Sequence, residues 1–442
     1  MTHKGGPIRG KMLALLIIAL VVGGGIFLVV RDKEGPVLTL IPDSPYVSLR
    51  PLVLELKDEQ SGLRSLEISA IQKEKEITLL ARDYPERPRH GSETFSLKQA
   101  PLAEGPFILR ILAKDGSFLG GKGTLREYSL NFDRTPPVIS VLSRTHNVRQ
   151  GGSAVVVFSL SEQAAVAGVR VGERKFPAFK QPSGNYFCFF GFPFEIKKDT
   201  FQPLVFAEDL AGNQVEGGFY FNIRVEKQRQ DRINISDQFL NAKMPQFKND
   251  FPDAKNPLEV FLKVNQVLRV KNRQMLFDYG AKSVSEPLWQ GAFLRQPGAT
   301  MATFGDLRSY YYQGRKIDSQ THLGVDIASV AQSPIKAANS GRVIFAGFFG
   351  IYGSCVIVDH GLGLQTLYGH LTRIDVSEGQ EVKKNVLLGT SGATGMAGGD
   401  HLHFGIILSG LPVDPIEWWD PNWVKNNIED KIGVNNPPER KK

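Results

Sequence analysis

Asp400-His401-Leu402-His403-Phe404 closes an ordered series of histidine motifs near the end of the chain. Thr321-His322-Leu323-Gly324-Val325-Asp326 opens the series, and Leu367-Tyr368-Gly369-His370-Leu371 stands in between. All three lie among glycines and short apolar runs, a pattern that predicts a β domain of short strands over 290–425. Side chains alternate along a strand, so His401 and His403 face one way and Leu402 the other. His322 and Asp326 are an even number of positions apart and share a face if extended. N/O ligands around an ion with one open position form the pattern of a catalytic zinc site. Such an ion polarises a carbonyl and lowers the pKa of bound water to ~7. A further histidine can then act as general base, because imidazole titrates near neutral pH.

Taken singly, each motif has a plainer explanation. His-x-x-x-Asp can be a surface pair, His-x-His a strand-face pair, and His370 a satisfied turn histidine. Their ordered occurrence inside one Gly-rich β segment favours a site instead. His360, in Val358-Asp359-His360-Gly361, has no second partner in the sequence and reads as a structural histidine.

The same region resembles the lysostaphin/LytM family of zinc metallopeptidases, which cut peptide cross-links in bacterial peptidoglycan. The resemblance runs through Thr303-Phe304-Gly305, His322-Leu323-Gly324-Val325-Asp326, Ala337-Ala338-Asn339-Ser340-Gly341-Arg342-Val343 and Tyr352-Gly353. It continues through Tyr368-Gly369-His370-Leu371, Gly389-Thr390-Ser391-Gly392-Ala393-Thr394-Gly395, His401-Leu402-His403-Phe404 and Val413-Asp414-Pro415. It implies one zinc ion per chain, bound by His322, Asp326 and His403. It also implies two catalytic residues. His401 takes the proton of the attacking water, and His370 helps to stabilise the oxyanion. Gly405 stands where an acidic residue often follows the Phe, and Gly399-Asp400 replaces a common Gly-Pro. Some relatives that have lost ligands act instead as non-catalytic scaffolds, binding cell wall and activating another hydrolase. All five site residues are present here, so the endopeptidase reading leads and the scaffold is the alternative. Tyr310, Tyr311 and Tyr312 either line a substrate groove or pack in the core.

Outside this region the chain reads as exported and modular. Its 442 residues exceed one compact domain. A hydrophobic fraction of 42% with 22% charged residues excludes a wholly disordered chain. Two cysteines exclude a disulfide scaffold and a four-cysteine zinc site. A net charge of +8 suits an anionic setting such as a membrane, wall polymer or nucleic acid.

Met12 to Val30 holds no charge, and Lys4, Arg9 and Lys11 precede it. That pattern predicts a basic stub and transmembrane anchor over 1–31, with everything beyond it outside the cytoplasm. A cleaved signal peptide is the alternative. Either way nucleic acid is excluded as a partner. With the peptidoglycan reading, this places a single-pass protein in a bacterial inner membrane, its catalytic part in the periplasm. There the expected cross-link is a D-alanyl–diaminopimelate peptide.

Alternating apolar runs such as Leu52 to Leu56 and Ala154 to Phe158 predict β-sandwich repeats over 35–134 and 135–226. Their joint Asp133-Arg134-Thr135-Pro136-Pro137 and the Ala211-Gly212-Asn213 turn resemble bacterial immunoglobulin-like modules, a plausible dock for a protein partner. A helical linker is expected over 227–289, capped by Asn256-Pro257 and stopping at Gly280, and a polar tail over 426–442. The expected fold is therefore mainly β. It comprises an N-terminal transmembrane helix, two immunoglobulin-like sandwiches, a short helical linker and a C-terminal antiparallel-β LytM-type peptidase domain.

Overall fold

The structure is a computed structural model that describes residues 34–117, 121–225, 227 and 229–435, together with 12 and 16–18. The fold is mainly β. Among the described residues no helix is long and apolar enough to cross a membrane. The expected anchor, Met12 to Val30, lies outside the described residues except at 12 and 16–18.

Two compact units are formed. One runs to Pro136 and includes Glu208–Gln214; the other joins Pro137–Ala207 to the chain from Val215 onward. In the first unit, a three-stranded sheet orders Val37–Ile41, Leu52–Lys57 and His90–Phe95. Leu52, Leu54 and Leu56 are buried while Glu55 and Lys57 are exposed, the alternation expected of a strand with one covered face. A five-stranded sheet supplies the other half of the same core through Ile68, Leu109, Ile111 and Leu130.

The second unit is built around an eight-stranded sheet. Its path runs Ala299–Ala302, Val325–Ala328, Leu402–Leu408, Leu364–Leu371, Ser354–Asp359, Gly341–Phe348, Glu381–Val382, with Leu411–Val413 paired to Leu402–Leu408. Strands Leu364–Leu371 and Leu402–Leu408 are buried at every position. Both faces are therefore covered, and the polar residues they carry, Gln365, Thr366, His370 and His403, are buried with the rest. Val356, Tyr368, Ile406 and Leu408 belong to one core, shared with Val155, Phe187 and Phe189 of the preceding β segment. Trp418 joins the two parts. Its ring lies tilted against Phe189, centres 5.8 Å apart, and it donates from Nε1 to Ser153 Oγ at 2.9 Å.

The opposite face carries Ile357, Leu367 and Ile407, and residues 235–276 cover it. Phe247, Phe261, Val264 and Leu276 pack there. The helix read from Leu258 to Phe277 is present as Pro257–Lys263, a π turn Val264–Leu268, and Arg269–Gly280. Asn256 Oδ1 accepts from Glu259 N at 2.9 Å, so the cap is as read. Asn272 fastens this helix to the loop before Ser354–Asp359: Ile351 N donates to its Oδ1 at 3.0 Å. Residues 230–235 are not helical. They form a strand parallel to Leu307–Tyr312, which in turn pairs with Arg315–Thr321.

Candidate metal centre and active site

Neighbouring strands deliver most of the site. Asp326 lies directly opposite His403 in the register, and His403 lies opposite Gly369, next to His370. His322 arrives from the end of Arg315–Thr321. Leu402 enters the core while His401 and His403 turn to the site, as alternation requires. Gly324 permits the approach, since a Cβ there would sit 2.5 Å from the His403 ring.

Three donor atoms meet. His322 Nε2 is 3.0 Å from Asp326 Oδ1 and 3.1 Å from His403 Nδ1. His403 Nδ1 is 2.9 Å from the same Asp326 oxygen. His322 Nδ1 is 2.9 Å from the Thr303 carbonyl, which can only accept. The His322 proton therefore sits on Nδ1, and the Nε2 lone pair points into the cluster. Two imidazole nitrogens and one carboxylate oxygen gathered this closely fit a single divalent ion of the zinc type, with bonds of roughly 2.0–2.1 Å. All three residues are buried.

Arg308 is the residue that sequence reasoning missed. It donates to Asp326 Oδ2 at 2.7 Å, so one carboxylate oxygen is held by Arg308 and the other faces the two histidines. No spacing rule in the sequence marks it. Burial by itself would raise the Asp326 carboxyl. The neighbouring imidazoles of His322, His401 and His403 outweigh this, and hold the group well below the usual carboxylate range.

His401 and His370 flank the cluster, their ring centres 4.8 Å apart. His401 Nδ1 donates to the Gly399 carbonyl at 2.8 Å, which leaves Nε2 as its basic nitrogen, 3.6 Å from Asp326 Oδ1. Burial opposes protonation of His401, but the hydrogen bond and charge of Asp326 raise its pKa overall. Asp400, at one of the positions that depart from the family pattern, accepts from Gln332 N at 2.9 Å and from Ser391 Oγ at 2.6 Å. It thus ties down the segment that presents His401. His370 has a left-handed backbone, φ 65°, and donates from Nδ1 to the Thr394 carbonyl at 2.8 Å. Burial, then repulsion from His401 and His403, keeps His370 neutral, its pKa well below the ordinary value. Tyr352 packs tilted against His403 with ring centres 5.3 Å apart.

The site opens into a cavity of about 440 Å³. Tyr310 lines it and also packs 5.5 Å from Phe261, so that tyrosine serves both roles. Tyr312 donates to Asp237 at 2.8 Å, and Tyr311 carries Arg232 over its ring. His360 lies elsewhere, fully buried between the Ser340 carbonyl at 2.7 Å and Thr366 Oγ1 at 2.8 Å.

Residues 320–415, which carry all five site residues, match the model of Peptidase family M23. The C-terminal part of the chain carries an M23 peptidase domain. DD-carboxypeptidase/endopeptidase Mpg of Neisseria meningitidis serogroup B is 37% identical over 95 residues, 22% of each chain. Peptidoglycan DD-endopeptidase ShyA of Vibrio cholerae is 34% identical over 96 residues, again 22% of each. The chain therefore spans 22% of the length of these curated relatives. The catalytic domain of lysostaphin from Staphylococcus simulans is 27% identical, with a TM-score of 0.24, covering 28% of this chain and 92% of that one.

Proposed function

We propose that the chain is a membrane-anchored, zinc-dependent endopeptidase that hydrolyses peptide cross-links of bacterial peptidoglycan. The observation that carries this reading is the convergence of His322 Nε2, Asp326 Oδ1 and His403 Nδ1 beside two further imidazoles at the mouth of one cavity. The relatives named for peptidoglycan endopeptidase activity support the substrate class. A zinc ion on those three atoms would supply Lewis acidity, polarising the scissile carbonyl and acidifying water at neutral pH.

The remaining chemistry belongs to the side chains. His401, with Nδ1–H committed to Gly399, takes the proton of the attacking water at Nε2 and returns it to the leaving amine. His370 is neutral and its Nδ1–H is committed to Thr394, so its Nε2 accepts rather than donates. We therefore assign His370 to orienting the water, in place of the oxyanion role expected from the resemblance.

The anchor rests on the uncharged stretch from Met12 to Val30 behind Lys4, Arg9 and Lys11. It places the peptidase in the periplasm of an inner-membrane protein, where the substrate bond is the D-alanyl–diaminopimelate cross-link. We assign the β segments 35–134 and 135–226 as immunoglobulin-like modules that dock a protein partner, the second also packing against the peptidase sheet through Val155, Phe187 and Phe189. Metal analysis tests the centre. The purified protein should hold about one zinc ion, and His403→Ala should lose it on dialysis. A fully loaded His403→Ala protein would remove His403 from the ligand set.

A further inference from the structure

The cavity that holds the metal cluster is also lined by cationic residues whose charges the proposed chemistry does not use. Arg269 and Arg273 both line it. They are four residues apart on the helix Arg269–Gly280, hence one above the other on a single face. The preceding π turn, Val264–Leu268, sets the rotation of that face, and such turns recur at functional sites. Asn272, between the two arginines, holds the helix against Ile351 through its 3.0 Å bond. Gly350 makes this close approach feasible: its φ is +53°, and a Cβ there would lie 2.4 Å from Asn272 Oδ1. The arginines are thus carried by a fixed element beside Tyr352, which packs against His403.

Arg269 Nε donates to the neutral Asn265 Oδ1 at 2.8 Å, which orients the guanidinium and leaves its terminal nitrogens uncommitted. No ion pair to Arg269 or Arg273 occurs among the described residues. Of the acidic residues lining the cavity, Asp231 is paired with Arg229 at 3.2 Å. Arg308, the other arginine of the cavity, is committed to Asp326. The Arg269 guanidinium, oriented by Asn265, and the exposed Arg273 one turn further on line the cavity that holds the metal cluster, and together they form a receptor for a planar anion.

We infer that Arg269 and Arg273 bind a free carboxylate of the peptide substrate and select acidic over amidated cross-links. This deepens the endopeptidase reading and rests on it. A D-alanyl–diaminopimelate cross-link carries such a carboxylate on the carbon that bears the leaving amine.

Binding and cleavage test the two claims separately. Fluorescently labelled cross-linked dimers are prepared with the diaminopimelate carboxyls either free or amidated. Their affinity for the zinc-loaded His401→Ala protein is measured by polarisation, with and without Arg269→Gln and Arg273→Gln. The acidic dimer should bind about tenfold more tightly than the amide, and the double substitution should abolish the preference. Arg269→Lys with Arg273→Lys should retain part of it. Equal binding of acid and amide by the arginine-bearing protein, or a preference that survives the double glutamine variant, overturns the arginine assignment whatever is cleaved. In parallel, hydrolysis by the protein with His401 intact should show the arginine effect in KM more than in kcat. Failure to cleave either dimer, with the binding preference intact, would sink the endopeptidase reading and leave the carboxylate receptor standing.

Discussion

Asp326 divides its two oxygens between two tasks, and Arg308 is what keeps them apart. Removing the guanidinium would free the carboxylate to rotate and leave Oδ2 buried without a partner. Arg308→Leu should therefore weaken zinc binding by ~10–100-fold while leaving all three ligands in place. Competition against a chelator of known affinity reads this directly, and unchanged affinity would show that Arg308 has no positioning role. Motif order and the family resemblance named His322, Asp326 and His403 in advance, and the structure brings these three donors together. Arg308 was not named, because its partnership depends on the pairing of Leu307–Tyr312 with Arg315–Thr321, which no local pattern encodes.

His360 illustrates the opposite case, a histidine whose lack of sequence partners correctly marked it as structural. Burial lowers its pKa to about 4 from the ordinary 6.5. Below pH 6.5 the unfolded chain takes up a proton there and the folded chain does not. Stability therefore falls as pH drops from about 6.5 towards 4, by about 3 kcal/mol in the limit. His360→Gln should show a shallower loss than the unsubstituted chain in denaturant titrations across that range. Parallel curves would refute the linkage.

At the scale of elements, the helix before the catalytic sheet was legible from its period and its Asn256-Pro257 start. Two features were not. The π turn at Val264–Leu268 leaves no compositional trace, and the parallel pairing of 230–235 with Leu307–Tyr312 spans a long sequence interval. Together they turn an expected spacer into one wall of the active-site cavity. Asn272 is the fastening. Asn272→Leu would leave the buried Ile351 N–H without an acceptor, at a cost of about 1–3 kcal/mol. Urea unfolding should show that loss. Faster amide exchange at Ile351, with Leu402–Leu408 still protected, would localise it to this contact. No change in either would mean that the helix is held by its apolar face alone.

For the whole molecule, alternating apolar runs announced a mainly β chain, but they could not announce which cores are shared. Val155, Phe187 and Phe189 belong to the same core as Val356, Tyr368 and Trp418, and Phe261 and Leu276 cover the sheet's other face. A fragment beginning near Gln290 would expose both faces to water. It should be insoluble or unfolded, whereas 137–435 should fold cooperatively and bind zinc. A well-folded, zinc-binding Gln290 fragment would contradict this partition. The central claim, that the five convergent residues make a peptidoglycan endopeptidase, is tested most directly by product identification. Purified peptidoglycan of known cross-link type is digested with the zinc-loaded protein and with His401→Ala, and the fragments are resolved by mass spectrometry. The account predicts that cross-linked dimers give way to monomers carrying a new D-alanine carboxyl and a free diaminopimelate amine, with His401→Ala slower by ~10²-fold or more. Undiminished dimers with the zinc-loaded protein, or equal digestion by His401→Ala, would contradict it.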